Sequence, residues 1–492
     1  MMSFRKIVRG GTFLYLRLLI GQMIGFVFWV IVSIIGGSEI LGIASAISGL
    51  AAMLAGIISL GIFTGVRRFM GIGLGSRDIN MVSRYFSTAF NYSLATRSLL
   101  LALLVALAIN NIPLFRLTGE QLIYAGILMF LTLSIAFDTV FIVFAKTEIL
   151  FIVSLATSIL RLILGVALIK ADYGWLGVIL ATCIANTVSL VSMLMYSFKL
   201  IKIKPIFDCG AFIETAKAGI AFWLPQVITS IGNWLGVLTV FSKIGAVETG
   251  HYYAVFAIVN GVLAIPVSFN ALMLPLLSGM KDGRKRLAWK TIKLSLAVSA
   301  PATVLAILYS WLPLSILGRE YLEAKDIFTV LALGILPVAF SSGISTLVYA
   351  YGIYMYVFLI GVFQNIPRII LYYQFTPILK GLGAAISYTI GSLSGLIASI
   401  MIAHKVGFKA NFRELLVIIA TPTILGLIFS LINVHWVISV SAILVATVLV
   451  YTRTNVISKS ELSDIVLAFI PREVLRRIYP KVEWMLSILY PE

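Results

Sequence analysis

Five ionisable residues stand inside long apolar runs of this 492-residue chain: Arg17, Arg97, Arg161, Arg368 and Asp138. A charge at such depth costs at least about 2.5 kcal/mol on insertion scales, so it faces a partner or a wet cavity. Four guanidinium groups against one carboxylate leave a surplus of positive charge that needs an anion to offset it. Guanidinium is well suited to phosphate, because its planar fork makes paired hydrogen bonds. The chemistry these residues predict is recognition of an anionic, phosphate-bearing substrate.

A second set of polar residues is built for neutral groups. Gln226, Thr229 or Ser230, and Asn233 recur at helical spacing on one face, with Trp223 and Trp234 beside them, and Tyr253, Asn260 and Asn270 follow in the next run. Amides and aromatic rings lining a wet groove suit sugar hydroxyls. The same residues would equally serve hydrogen bonds between helices, worth about 0.6 kcal/mol each in a membrane. No Walker A sequence, HExxH or nucleophile elbow is present, and the three histidines are too scattered to hold a metal. Cys183 and Cys209 support neither a disulfide framework nor a metal site. The reading is a transporter without metal or cofactor, not an enzyme, driven by an ion gradient or by removal of product.

The elements that must position these residues are membrane spans. Of the residues, 61% are hydrophobic and 11% charged, against about 25% charged in soluble domains. Apolar windows of about 20 residues or more fall near 12–36, 40–65, 84–109, 120–145, 148–170, 174–198, 216–241, 249–277, 291–313, 326–350, 354–378, 381–403, 414–433 and 435–452. The fold class is therefore all-α, a polytopic membrane protein of about fourteen helices. The first run is too long for a cleaved signal and is expected to stay as an anchor.

Charge supports this division. With the N-terminus inside, 27 of the 37 Lys and Arg lie in inner loops and tails, 6 in outer loops and 4 within spans. That bias places both termini in the cytoplasm. The net charge of +18 follows the inner loops, which argues against a nucleic-acid partner. The outer loops are too short for an external catalytic domain. Beyond residue 452, Leu462 to Leu489 alternate apolar and basic residues at helical spacing, predicting two surface helices on an anionic leaflet.

The chain also repeats itself. Ile35-Gly36-Gly37-Ser38-Glu39-Ile40-Leu41-Gly42 is echoed by Ile244-Gly245-Ala246-Val247-Glu248-Thr249-Gly250, and Arg161 is echoed by Arg368 at an offset of 207. Two parallel six-helix lobes follow, residues 1–204 and 205–410, with two further helices over 411–452 and a cytoplasmic amphipathic tail over 453–492. Such halves are related by an axis along the membrane normal, with the substrate path between them. Prolines at 225, 266, 275, 301, 337 and 367 mark the second lobe as the bending half. The run of Gly42, Gly49, Gly56, Gly61 and Gly65 predicts a close approach of helix backbones. Arg161 and Arg368, at equivalent places, suit a tie between helices as well as a substrate. Arg97 is placed to pair with Asp138 from an adjacent span. Arg17 has no equivalent arginine, since the aligned positions hold Pro225 and Gln226, and this asymmetry makes it the leading substrate contact.

Residues 5 to 452 resemble a known family. The start Arg9-Gly10-Gly11, the Gly-x-x-Glu turn at Gly36 to Glu39 followed by Gly42, the Arg67-Arg68 ending and the six-plus-six-plus-two architecture are similar to the polysaccharide transporters. These are the Wzx-type flippases of the multidrug/oligosaccharidyl-lipid/polysaccharide exporter superfamily. The resemblance implies a cytoplasmic-membrane flippase that moves a lipid-linked, phosphate-bearing oligosaccharide outward by alternating access. Its partners would be that glycan, membrane lipids and polysaccharide assembly enzymes. The first, second, seventh and eighth spans would line the cavity, with Arg17 as its arginine. The drug and cation antiporters of the same superfamily are the alternative. They bind protons, sodium or cationic drugs on acidic residues of the N-terminal lobe, a role for which Asp138 is the one ion-coupling candidate here.

Overall fold

The computed structural model describes residues 4–432 and 434–458. The surface helices expected from Leu462 to Leu489 lie outside them. In chain order the α-helices are α1 (Phe4–Ile58), α2 (Ile62–Gly75), α3 (Ile79–Ile109), α4 (Gly119–Leu131), α5 (Ile135–Val143), α6 (Thr147–Lys170), α7 (Gly174–Phe198) and α8 (Cys209–Lys243). They continue as α9 (Ala246–Gly279), α10 (Arg284–Leu308), α11 (Trp311–Leu317), α12 (Lys325–Leu333), α13 (Ile335–Ala350), α14 (Tyr354–Lys405), α15 (Phe412–Leu431) and α16 (Trp436–Arg453). Apart from one isolated bridge between Leu114 and Leu117, the described residues hold no β-structure.

Lipid cannot hydrogen-bond a backbone, so an apolar chain of this length satisfies its own amides as helix. The side chains agree: on α6, Ile152, Ile159 and Ile163 are exposed while Leu150 and Val153 are buried, a stripe that faces lipid rather than water. Polar loops supply the helix starts. Asp78 caps α3 through the Met81 amide, Thr118 and Gln121 form a reciprocal capping box on α4, and Asp208 caps α8 through Ala211.

Twelve helices among the described residues are long and apolar enough to cross a membrane. Two of them, Thr12–Ile58 and Tyr354–Lys405, run 47 and 52 residues, more than twice what a ~30 Å hydrocarbon core requires. Each breaks at one residue where the sequence places an outer turn: Gly37 with φ 74° and Lys380 with φ 54°. Glycine accepts that backbone freely, whereas a lysine in so sparsely populated a conformation costs about 1–3 kcal/mol. Both breaks are held by a carboxylate. Glu248 Oε1 accepts from the Gly381 amide at 2.8 Å, and Glu320 accepts from the Ser38 amide at 2.8 Å and its hydroxyl at 2.9 Å. A hydrogen bond to a charged group contributes about 1.5–3 kcal/mol, enough to offset the strain.

Two expected spans are interrupted. The second ends at Ile58 and resumes at Ile62 past Leu60 and Gly61, both with positive φ. The fourth is divided into α4 and α5 by a 3₁₀ turn at Thr132–Ser134. Pro225, Pro301 and Pro367 sit inside α8, α10 and α14, which continue through them.

The chain forms two compact units. Of the described residues, the first comprises 4–258, 314–331 and 357–394, and the second comprises 259–313, 332–356 and those from 395 to 458. This division cuts across the sequence repeat, because compactness follows packing and the repeat follows residue pattern. In the first unit, α1 and α2 lie along α8 on the expected glycines. A Cβ at Gly42 would collide with the Ala246 carbonyl, at Gly49 with the Trp234 ring, at Gly61 with the Gly219 carbonyl and at Gly65 with the Thr215 carbonyl. The echoed motifs thus meet each other, since Gly250 in turn accommodates the Ser38 carbonyl. In the second unit, α10 carries α13 and α15. Lys293 Nζ lies 3.4 Å from Glu414 Oε2, and the Tyr451 hydroxyl of α16 donates to the Ile418 carbonyl of α15 at 2.6 Å.

Candidate functional site

Two arginines share the seam between α1 and α6 in the first unit. Arg17 Nη1 lies 2.9 Å from Asp138 Oδ2, and its Nε donates to Ser154 Oγ at 2.7 Å. The pair is partly open, with 27% of the Arg17 side chain and 15% of Asp138 exposed. Around Arg17, Gly21, Ile24, Phe151, Ser154, Leu155 and Ser158 form a small crevice. Arg161 follows Ser154 by seven residues on α6, about 10 Å along the helix. Its guanidinium lies over the Phe28 ring at 4.4 Å, and its buried Nε has no hydrogen-bond partner. Gly21 faces open space, and a Cβ on Gly25 would stand 3.7 Å from Arg161 Nη2. The two glycines keep α1 from filling the ground between the arginines.

A third cation joins from α2. Arg67 Nε lies 3.4 Å from the hydroxyl of Thr139, next to Asp138, and Arg67 is within electrostatic reach of Asp138 and Arg17. In the sequence Arg67 falls just past the second apolar run, 40–65. The only signal for it was the Arg67-Arg68 ending, and adjacency to Asp138 could not be read from position.

The structure corrects the pairing expected for Arg97. Asp138 goes to Arg17 instead, while Arg97 is 5% exposed and donates to Thr132 Oγ1 at 3.3 Å and the Ser93 carbonyl at 3.5 Å. Arg97 therefore braces the 3₁₀ turn that splits the fourth span. Arg368 stands apart from this group in its surroundings. It is fully buried, and its guanidinium donates to the Tyr388 carbonyl at 3.1 Å, Asn233 and Asn365 at 3.2 Å each, and Ser392 Oγ at 2.7 Å. The Tyr388 ring lies 3.8 Å from its centre. Four neutral acceptors thus hold its guanidinium between α8 and the two segments of α14.

The expected amide face is largely consumed in packing. Asn233 belongs to the Arg368 tie, Trp223 Nε1 donates to the Gly56 carbonyl at 3.0 Å, and Trp234 packs on Gly49. Tyr253 is buried between the rings of Trp29 and Trp234. Gln226 and Thr229 remain exposed on α8. In the second unit, Asn260 is half-buried on α9 and Asn270 donates to Ser342 Oγ at 2.7 Å.

Arg17 and Arg67 share one carboxylate, Arg161 lies seven residues along α6 from Ser154, and Ser154 and Ser158 line the crevice beside Arg17.

No protein-family profile matches the chain, and no curated protein matches its sequence. Several solved structures do. The lipid II flippase MurJ in an inward closed conformation is similar with a TM-score of 0.71 and 16% identity, covering 89% of this chain and 97% of that one. An inward-facing multidrug resistance MATE family transporter of the MOP superfamily gives 0.65 and 14%, covering 79% and 97%. A MOP superfamily transporter from Pyrococcus furiosus, described by the reverse polarity of its binding pocket, gives 0.55 and 14%, covering 82% and 96%. The chain has the fold of the MOP-superfamily transporters.

Proposed function

We propose that this chain is a flippase for a lipid-linked oligosaccharide bearing phosphate or pyrophosphate, working by alternating access in the cytoplasmic membrane with both termini inside. The observation that carries the reading is the unbalanced cation cluster of the first unit, where Arg17 and Arg67 share Asp138 and Arg161 lies over the Phe28 ring with its Nε unpartnered. A phosphate entering the seam gains charge-assisted bonds that no residue there now supplies. The likeness to a lipid II flippase, and to a transporter of reversed pocket polarity, supports the same direction. Within the superfamily, the Wzx-type branch fits the sequence motifs, and polysaccharide assembly enzymes would supply and receive the cargo.

In this mechanism the binding groups act by position. Ser154 and Asp138 orient Arg17 so that its remaining N–H groups face the crevice, and Gly21 and Gly25 leave the backbone of α1 out of the way. A head group would pass from Arg17 to Arg161 along α6. Release outward requires α1 to part from α8 and α9, which means separating Gly42 from Ala246 and Ser38 from Gly250.

The multidrug antiporter reading is favoured by the partly exposed Asp138 carboxylate and the MATE likeness. There Asp138 would be the ion-coupling group. Reconstitution with fluorescent lipid-linked oligosaccharide in one set of vesicles and a cationic dye in another separates the two. Glycan crossing, reduced about tenfold or more by Arg17→Ala, is the expected result. Dye crossing abolished by Asp138→Asn, with no glycan movement, would replace the flippase reading by the antiporter one.

A further inference from the structure

We propose that the second unit holds a binding site for one anionic phospholipid of the surrounding bilayer, with an acyl chain in an apolar cavity and the phosphate on a basic rim. The cavity has a volume of about 590 Å³ and lies among α10, α13, the end of α14 and α15. Thirteen of its fifteen lining residues are apolar, and the two that are not are His404, in the last turn of α14, and Lys409, in the stretch that joins α14 to α15.

The lining selects the occupant. A buried water needs two to four polar partners, and Leu296, Leu336, Phe340, Leu396 and Leu415 supply none. A hydrocarbon chain needs none and gains contact along its whole length. Ile400, Phe412 and Ile419 are exposed at the flank, so a chain enters sideways from lipid without crossing a polar barrier.

The rim selects the head group. Segments 281–290 and 404–413 hold eight Lys and Arg against one acid, Asp282. Lys285 Nζ reaches the turn at Gly407, 3.2 Å from where a Cβ would stand. The nearest other carboxylate, Glu414, is already engaged by Lys293, by Trp289 Nε1 at 3.1 Å and by Asn411 Nδ2 at 2.8 Å. Among the described residues, no ion pair engages Lys409 or His404 in competition with a phosphate. Basic pockets at helix ends on an anionic leaflet recognise such head groups. The inference does not rest on the flippase reading, because it concerns only residues of the second unit.

The test uses the purified full chain, stripped in detergent and exchanged into vesicles of dioleoyl phosphatidylglycerol or dioleoyl phosphatidylcholine, with the lipid retained on re-extraction identified by mass spectrometry. The expected preference for phosphatidylglycerol is about fivefold for each basic side chain engaged, and Lys409→Gln removes about that factor. Ala403→Trp, which fills the cavity from α14, abolishes retention of both lipids. A measurement on unaltered cavity residues keeps the test independent of folding. The Trp289 ring packs against Phe408 at the cavity wall, so brominated phosphatidylglycerol quenches a share of fluorescence that Trp289→Phe lacks. Equal retention of the two lipids, an equal loss from Lys202→Gln, which is exposed in the first unit, or recovery of an isoprenoid lipid in place of a phospholipid would each overturn the proposal.

Discussion

Arg161 and Arg368 occupy equivalent positions 207 residues apart in the repeat, yet the molecule uses them in opposite ways. Around Arg368 the partners are Asn233, Asn365, Tyr388 and Ser392. Carried back by the repeat offsets of 208 for the first of these and 207 for the others, those positions hold Gly25, Ser158, Ala181 and Ala185. Gly25 does stand beside Arg161, as Asn233 stands beside Arg368. The first lobe therefore keeps the guanidinium and lacks the side-chain acceptors that Asn233 and Ser392 provide, while a hydroxyl at Ser158 and a backbone carbonyl at Ala181 remain. A buried guanidinium with five donors is tolerable only if they are met. On the flippase reading proposed above, a phosphate would supply the acceptor that Arg161 Nε lacks.

The sharpest way to break this comparison is Arg368→Met. It leaves Asn233, Asn365, Ser392 and the Tyr388 carbonyl without their donor in a fully closed site. Losing one side of such a network costs about 3–5 kcal/mol, so folded yield and thermal midpoint should fall steeply. A variant that folds normally and loses only transport would place Arg368 with the substrate and erase the contrast. Next in size is Arg161→Gln. Its guanidinium has a ring and no carboxylate, so stability should move by no more than about 1 kcal/mol. Glycan movement in vesicles should drop by about tenfold or more, the loss of one charge-assisted phosphate contact. Unfolding in place of lost transport would make it a second tie.

Legibility in the sequence follows what periodicity can and cannot carry. The apolar runs, the turn at Gly37 and the glycines facing α8 were all readable, because each depends on residues close in the chain or on one face of one helix. The partner of Asp138 was not. Adjacent spans suggested Arg97, but three residues of 3₁₀ helix at Thr132–Ser134 turn the following face by about 60° relative to continuous α-helix. Arg97 keeps the turn itself, and Asp138 is presented to Arg17. The amide face of α8 was legible as a face. What occupies it depends on which glycine of α1 stands opposite, so Trp223 and Trp234 became packing and Asn233 became part of a tie.

The smallest expected effect is also the most specific to the comparison: rebuilding the missing acceptors with Gly25→Asn and Ser158→Asn together. Space exists at Gly25, since a Cβ there meets Arg161 Nη2 only at ordinary contact distance, 3.7 Å. Residue 158 lies three before Arg161, as Asn365 lies three before Arg368. If the two lobes share one geometry, the new carbonyl oxygens accept from the idle guanidinium as they do in the second lobe. Each such bond contributes about 1 kcal/mol net, less what asparagine loses to its lower helix propensity, so the thermal midpoint should hold or rise slightly. Transport should fall toward the Arg161→Gln level although every charge remains in place. The two single variants act as controls, since one acceptor leaves donors free and should give an intermediate rate. A stable double variant with full activity would mean that Arg161 never needed an outside partner, and the difference between the lobes would then be one of packing alone.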